Sequence, residues 1–179
     1  YQLAHRVGAS YQATCISLKR HAIIDLITLN HLMDHSLRDL KAELLDGFEV
    51  TNYYPDVWLL TERDEASTLE GQPDDFFVIR LTEKSGAGYL WTTGGLVDAG
   101  FAILRDTRKI PSPENAIGGP VTRDLTARHI EPASGEFAME LKRPWQETAP
   151  PISKLHVTYE LLGKEIGMPR AARRQMRAA

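Results

Sequence analysis

The chain has 179 residues and a formal net charge of -3, with 42% hydrophobic and 25% charged residues. This composition is ordinary for a globular protein that buries a core of its own. The slight acidic excess gives no argument for nucleic acid as a partner, because nucleic-acid-binding domains usually carry a basic surplus. The single cysteine, Cys15, excludes an internal disulfide framework.

Hydropathy gives no sign of a membrane segment or a secretory leader. The longest apolar run, residues 22–29, is interrupted by Asp25, whereas a membrane-spanning helix needs about 20 apolar residues. The first residues are polar and mixed, without a charged segment followed by an apolar one. These features predict a cytoplasmic protein without membrane contact. The chain begins at Tyr1, without an initiating Met and in sequence typical of a helix, so we expect a fragment of a longer protein.

The first segment, residues 1–50, has the pattern of helices separated by turns. One helix is expected to end near Arg6, and Ser10 is placed to cap the next. A further helix, or a broken pair, is predicted over residues 28–45, and Ser36 is placed to cap its second part. We therefore predict a helix-turn-helix-like segment.

The second segment, residues 51–162, has short β runs separated by turns. Strands are predicted at residues 57–61, 76–81, 89–92, 101–105, 121–130, 136–142 and 154–161. In the last two, apolar and polar residues alternate, as in strands with one buried face. Seven short strands in this length are typical of an immunoglobulin-like sandwich. The predicted fold class is α+β, with an N-terminal helical segment followed by an immunoglobulin-like all-β sandwich of about seven strands.

The third segment, residues 163–179, is a basic C-terminal tail. Its charged residues are Lys164, Glu165, Arg170, Arg173, Arg174 and Arg177. A short basic helix and a disordered terminus both fit this composition, and a solvated terminus is favoured over a specific anion site because chain ends are usually loose.

Three motifs lie between predicted strands of the second segment. Residues 84–91 read Lys-Ser-Gly-Ala-Gly-Tyr-Leu-Trp, residues 115–123 read Asn-Ala-Ile-Gly-Gly-Pro-Val-Thr-Arg, and residues 143–146 read Arg-Pro-Trp-Gln. In this order they resemble the chagasin-like inhibitors of papain-type cysteine proteases. The corresponding family motifs are Asn-Pro-Thr-Thr-Gly-Tyr-x-Trp, a Gly-rich loop before a long strand, and Arg-Pro-Trp. The resemblance covers residues 56–162.

The resemblance implies a binding domain rather than an enzyme. In that family, three loops gather at one end of the sandwich and block the active-site cleft of a papain-like protease. The implied partner is a papain-like cysteine protease or another protein, with no cofactor, metal, nucleic acid or membrane. The residues expected to contact the partner are Lys84, Ser85, Gly86, Ala87, Gly88, Gly118, Gly119, Pro120, Arg143, Pro144, Trp145 and Gln146.

Some of these motif residues also have structural explanations. Trp91 is expected in the core, because sandwich centres commonly hold a Trp. Tyr89 is expected to be a half-buried structural residue. Gly118 and Gly119 also suit a turn without any contact to a partner. For residues 143–145, a structural role beneath the loop and a binding role are equally open.

The first loop departs from the family pattern. Lys84-Ser85-Gly86-Ala87 stands where the family has Asn-Pro-Thr-Thr. The Thr residues, which lie nearest the protease's catalytic residues in the family, have no hydroxyl equivalent at these positions. The missing Pro predicts a more flexible loop. The resemblance therefore supports the scaffold and the other two loops more directly than it supports inhibition.

The helical segment resembles a different family. Residues 3–13 read Leu-Ala-His-Arg-Val-Gly-Ala-Ser-Tyr-Gln-Ala, and Leu18 and the pair Ile23-Ile24 follow. This pattern is similar to the segment after the zinc site of ImmA/IrrE-type metallopeptidases. The resemblance implies an alternative function, in which the chain is the C-terminal sensor or interaction region of an intracellular peptidase whose His-Glu-x-x-His helix lies upstream.

Other chemical features of the helical segment favour structural interpretations. His31 and His35 share one helix face, but spacing identifies no third ligand for a zinc site, so we predict a solvated pair without metal. Cys15 has no recognisable catalytic partner and is expected as a small buried side chain. A DNA-contacting element is a less favoured third interpretation, since the cations of the first helices are few: Arg6, Lys19 and Arg20.

Overall fold

The computed structural model describes residues 1–110, 119–146 and 148–162. Contacts divide the chain into two compact units, with the boundary between Tyr53 and Tyr54. This boundary falls close to residue 50, where the sequence pattern changes from helical to β. The basic tail predicted at residues 163–179 lies outside the described residues.

The first unit contains four short helices. They are α1 (Gln2–Val7), α2 (Tyr11–Arg20), α3 (Leu26–Asp34) and α4 (Leu37–Leu45). The predicted caps are confirmed, since the Ser10 hydroxyl accepts from the Ala13 N–H and the Ser36 hydroxyl accepts from the Asp39 N–H, both at 3.1 Å. The region predicted as one helix or a broken pair is a pair, and its first helix begins earlier than predicted because Asp25 caps it.

Side chains within the first unit are buried at a few positions. Ala4, Cys15 and Leu45 are buried, which agrees with the structural interpretation of Cys15. The Lys41 ammonium is also buried and donates to the Tyr53 carbonyl at 2.9 Å. This hydrogen bond satisfies a charge that would otherwise be costly to remove from water.

The second unit is a sandwich of two four-stranded sheets. Its strands are β1 (Val57–Leu60), β2 (Ser67–Gly71), β3 (Phe76–Glu83), β4 (Leu90–Trp91), β5 (Ala102–Lys109), β6 (Val121–Arg128), β7 (Ala133–Lys142) and β8 (Ser153–Leu161). The first sheet has the order β1-β3-β6-β5, and the second has the order β2-β8-β7-β4. The pairs β1–β3 and β2–β8 are parallel, and the others are antiparallel. The predicted fold class is confirmed, and each of the seven predicted strands is present with somewhat different ends.

One strand and one α-helix of the second unit were not predicted from the sequence. Strand β2 contains one large apolar residue, Leu69, so it shows no alternation. Helix α5 (Gly94–Asp98) begins with two glycines, which disfavour a helix. The structure explains one of them, because a Cβ on Gly95 would lie 2.2 Å from the Ala138 carbonyl oxygen of β7. A larger residue at Gly95 would therefore push the helix away from the sheet.

The core lies between the two sheets. The alternation in β7 and β8 places Phe137, Met139, Leu155 and Val157 in it, and Trp91 is buried there as predicted. Complete burial of each such side chain stabilises the fold by roughly 1.5–3 kcal/mol. The core therefore holds the sandwich together without any disulfide.

A buried carboxylate, Asp75, ties β1 to the turn before β3. Its Oδ2 accepts from Trp58 Nε1 at 3.0 Å and from the Gln72 N–H at 2.9 Å, and its Oδ1 accepts from the Asp56 N–H at 2.9 Å. Burial raises the pKa of Asp75, and these three hydrogen bonds oppose the rise. The carboxylate is thus costly to bury but serves three donors at once.

Replacing Asp75 by Ala should lower the free energy of unfolding by at least about 2 kcal/mol, because buried N–H groups lose their acceptor. The measurement is the urea midpoint and slope of the folded chain at neutral pH. The matched control is Asp74→Ala, which removes a neighbouring carboxylate that forms an exposed pair with Arg128 at 2.9 Å. Asp74→Ala should lower the free energy of unfolding by less than about 1 kcal/mol. Equal losses in the two variants would contradict the role assigned to Asp75.

Candidate functional site

Strand register brings the predicted loops to one end of the sandwich. Glu83, the last residue of β3, pairs with Val121, the first residue of β6. Leu90, the first residue of β4, pairs with Lys142, the last residue of β7. The loops that leave these positions therefore start side by side. We call residues 84–89, 119–120 and 143–146 together the loop end.

The first loop is closed by its own backbone. Residues 85–87 form a turn of 3-10 helix, in which the Ala87 N–H donates to the Lys84 carbonyl at 3.0 Å. The Gly88 N–H donates to the Ser85 carbonyl at 2.8 Å, and the Tyr89 N–H donates to the Lys84 carbonyl at 3.1 Å. Gly88 has a φ of +79°, a left-handed conformation that Gly adopts without a steric cost. Three hydrogen bonds thus close a loop that has no proline.

The third loop packs against the first. The Trp145 indole lies directly on Gly88, since a Cβ there would be 2.3 Å from the ring atom Cη2. The Arg143 Nε donates to the Ala87 carbonyl at 3.2 Å, and its guanidinium carbon lies 4.6 Å from the centre of the Tyr89 ring. Trp145 nevertheless remains 66% exposed. Its indole therefore has one face for packing and a large free surface, and both explanations considered for residues 143–145 have structural support.

The remaining predicted contact residues are distributed around this pair of loops. Gly86, Ala87, Pro144 and Gln146 are exposed, and Lys84 is exposed at the start of the first loop. Of the second loop, Gly119 is half-buried and Pro120 is exposed immediately before β6. Gly118 lies outside the described residues. The predicted contact residues that are described thus lie at the loop end, and their contact with a partner stays a prediction.

Beneath the loops lies a polar cluster that the sequence analysis missed. We define the polar clasp as Glu83, Trp91, Asp106, Arg108 and Arg123. Glu83 is completely buried, and its Oε1 accepts from the Trp91 N–H at 3.0 Å. Arg123 donates to both Asp106 oxygens, at 2.9 and 2.6 Å, and to the Trp91 carbonyl at 2.5 Å.

The remaining contacts of the polar clasp balance its charges. Arg108 donates to Glu83 at 2.5 Å, and Arg123 approaches the same carboxylate at 3.5 Å. Hydrogen bonding to Arg123 lowers the pKa of Asp106, which keeps this carboxyl ionised. Two carboxylates and two guanidinium groups therefore form a neutral cluster.

One signal in the sequence could have indicated this cluster. Arg123 is in the same alternation as Leu125 and Ala127, so the strand pattern already directs its side chain inward. Glu83 stands in the same relation to Leu81 in β3. Charged residues at inward positions of two predicted strands indicate a buried pair, although their mutual contact depends on strand register.

Nothing in the described part of the chain is arranged for catalysis with a metal. His31 Nδ1 and His35 Nε2 are 3.3 Å apart on an exposed helix face. Among residues 1–110, 119–146 and 148–162, no group of three or more His, Cys, Asp or Glu side chains is placed to hold a metal ion. The loop end itself offers backbone groups, an aromatic ring and cations, which suit binding rather than bond-breaking chemistry.

The helices of the described residues are also too short or too polar to span a membrane.

Comparison with known proteins finds similarities that include the second unit. The family model described as "Chagasin family peptidase inhibitor I42" matches residues 72–159. Amoebiasin-2 of Entamoeba histolytica is 26% identical over 124 residues, which cover 69% of this chain and 98% of that protein. The crystal structure of the cysteine protease inhibitor EhICP2 of Entamoeba histolytica is similar with a TM-score of 0.53 and 23% identity, covering 62% of this chain and 99% of that one. That likeness supports the same β-sandwich fold. Residues 72–159 of the β-sandwich are thus similar to the chagasin family of peptidase inhibitors.

Proposed function

We propose that this chain inhibits papain-like cysteine proteases by inserting its loop end into the active-site cleft. The observation that carries the proposal is the packing of Trp145 and Arg143 on the first loop, in a sandwich of an inhibitor family. The match to a peptidase inhibitor family and the similar structure of a cysteine protease inhibitor support the choice of target class. The chain acts as a binding protein, not as an enzyme.

Physical features of the loop end suit the occlusion of a cleft. Loops that are already fixed in the bound conformation lose little conformational entropy on binding, and the loop end is braced by its own contacts. The exposed tip residues Gly86 and Ala87 are small, so the backbone can approach the floor of a narrow cleft. Trp145 supplies a large rigid surface of the kind found at binding hot spots.

The departures in the first loop change how the tip would bind. Gly86 and Ala87 stand where the family has Thr, so the tip contacts a protease through backbone groups and shape rather than hydroxyls. Arg143 and Trp145 hold this loop from the side, which compensates for the missing proline. We therefore place most of the binding energy in the third loop.

The alternative assignment to an ImmA/IrrE-type metallopeptidase gains no support from the family match, which begins at residue 72, beyond the helical segment. A cytoplasmic location stays a prediction from the sequence.

The direct test is a titration of active papain with the purified chain. Residual hydrolysis of a small fluorogenic substrate should fall linearly and reach zero near one inhibitor per active site. Addition of substrate should relieve the inhibition, since both compete for one cleft. An absence of inhibition at micromolar protein would contradict the proposal.

Trp145→Ala should weaken inhibition of papain about 30-fold or more, because truncation of a hot-spot aromatic costs about 2 kcal/mol or more. The measured quantity is the inhibition constant at constant ionic strength. Ile130→Ala is the matched control, since it truncates a 70% exposed apolar side chain beyond the other end of β6 and should leave the constant unchanged. Unchanged inhibition by Trp145→Ala would assign this residue a purely structural role.

Gly88→Ala should also weaken inhibition, by about tenfold or more, because the new Cβ displaces the Trp145 ring. Alanine at a left-handed φ itself costs about 1–2 kcal/mol of stability. Gly47→Ala separates the two effects, since Gly47 has a φ of +76° but no atom within 4 Å of the new Cβ. Thermal unfolding and inhibition are measured for both variants. We expect the two variants to lose similar stability, and only Gly88→Ala to inhibit more weakly. Equal inhibition by the two variants would contradict the bracing role of Trp145.

A further inference from the structure

The polar clasp occupies positions where a sandwich normally has apolar side chains. Glu83 and Arg123 follow the inward alternation of β3 and β6, and both are buried. Asp106 and Arg108 of the edge strand β5 pair in register with Leu125 and Arg123, so they lie on the same face of the first sheet, at its exposed margin. Replacing a buried ion pair by well-packed apolar residues is often neutral or stabilising, so stability alone does not explain this cluster.

The clasp joins the two ends of the first loop. Glu83 is the residue before the loop, and Trp91 lies just after it at the start of the second sheet. The Trp91 N–H donates to Glu83, and the Trp91 carbonyl accepts from Arg123, so both backbone groups of Trp91 are held by side chains of the first sheet. The Trp91 indole Nε1 also donates to the Thr82 carbonyl at 2.9 Å. The distance and angle between the loop's two ends are thereby fixed.

The same contacts extend to the third loop. Trp91 pairs with Leu141 and Leu90 pairs with Lys142, which immediately precedes Arg143. A shift of Trp91 therefore moves the strand from which the third loop begins. Hydrogen bonds to charged groups are directional and short, so they fix this geometry more tightly than apolar contacts of the same volume.

We propose that Glu83 and Arg123 are positioning residues for inhibition, which hold the first and third loops in the geometry that enters a protease cleft. This inference rests on the proposed function. Neither residue needs to touch the protease, because both are buried below the loops. Arg108, with a side chain that is 42% exposed, completes the neutralisation of Glu83 from the rim of the sandwich.

The test compares Glu83→Gln and Arg123→Lys with two controls. Glu83→Gln retains an acceptor for Trp91 but removes the charge, and Arg123→Lys retains the charge but loses the forked donor. Arg128→Lys makes the same change at the other end of β6, where Arg128 forms an exposed pair with Asp74. Leu161→Val removes a methylene group from the core at the end away from the loops. It serves as a control for the loss of stability in the Glu83 and Arg123 variants.

Two readouts are measured, one of which requires no protease. The first is amide hydrogen exchange at Gly88 and Tyr89, whose N–H groups bond within the loop and not to the clasp. The second is the inhibition constant against papain. Both clasp variants should exchange about tenfold faster at these amides and inhibit about tenfold more weakly, while both controls remain as wild type at equal fractions folded.

The outcomes distinguish the two proposals. If the wild-type chain does not inhibit papain, the proposed function fails, while exchange at Gly88 and Tyr89 still reports on positioning. If the wild type inhibits and both clasp variants inhibit equally well, the positioning role is overturned. If the buried variants do not fold, Arg108→Gln tests the same cluster from its exposed edge, and unchanged exchange and inhibition in that variant would also overturn it.

Discussion

The hydrogen bond from the Trp91 N–H to the Glu83 carboxylate, 3.0 Å long, crosses from one sheet to the other at the end where the loops begin. Over much of the sandwich the sheets meet through apolar side chains, which attract one another without fixing a direction. At the loop end, by contrast, the relative position of the sheets is set by donors and acceptors. The first loop spans this junction, so its shape follows from the contact between Glu83 and Trp91.

The loops then add contacts of their own. Trp145 lies on Gly88, and Arg143 reaches the Ala87 carbonyl and the face of Tyr89. The contact between Trp145 and the first loop depends on Gly88, which leaves room for the indole and has a left-handed φ. A larger residue at this position would disrupt the contact. The first loop lacks the proline of the family pattern, and its contacts are backbone hydrogen bonds of its own and packing by the third loop. The greater flexibility expected from the missing proline stays a prediction.

Most strands and helix starts could be predicted from local sequence patterns. The contacts between polar residues far apart in the sequence could be seen only in the structure. Alternation in β7 and β8 identified both strands, and Ser10 and Ser36 identified two helix starts, because these signals lie within a few neighbouring residues. Strand β2 escaped detection because Leu69 is its one large apolar residue. The motif resemblance located the loops, but Glu83, Arg123 and Trp91 are separated by up to 40 residues in sequence, and their contact follows from register between strands.

The two ends of the sandwich differ in the side chains that fill the space between the sheets. At the end away from the loops, the Phe101 ring lies between 5.1 and 5.5 Å from the rings of Phe77, His129, Phe137 and Tyr159. Such aromatic clusters contribute much buried area and tolerate small shifts of one ring against another. The loop end places charges and directional hydrogen bonds at equivalent depth, although burying them is costlier than burying apolar groups.

The free-energy cost of burying Glu83 and Arg123 is reasonable if the position of the loop ends matters more than stability. A loop that must fit a preformed cleft loses affinity if its ends shift by a fraction of an ångström, whereas the core loses little from the same shift. The buried Glu83 and Arg123 therefore lie beneath the proposed binding surface, whereas the opposite end combines the aromatic cluster with the single buried carboxylate of Asp75. Under the proposed function, the residues that determine inhibition extend below the loop end to Glu83 and Arg123, which hold both backbone groups of Trp91.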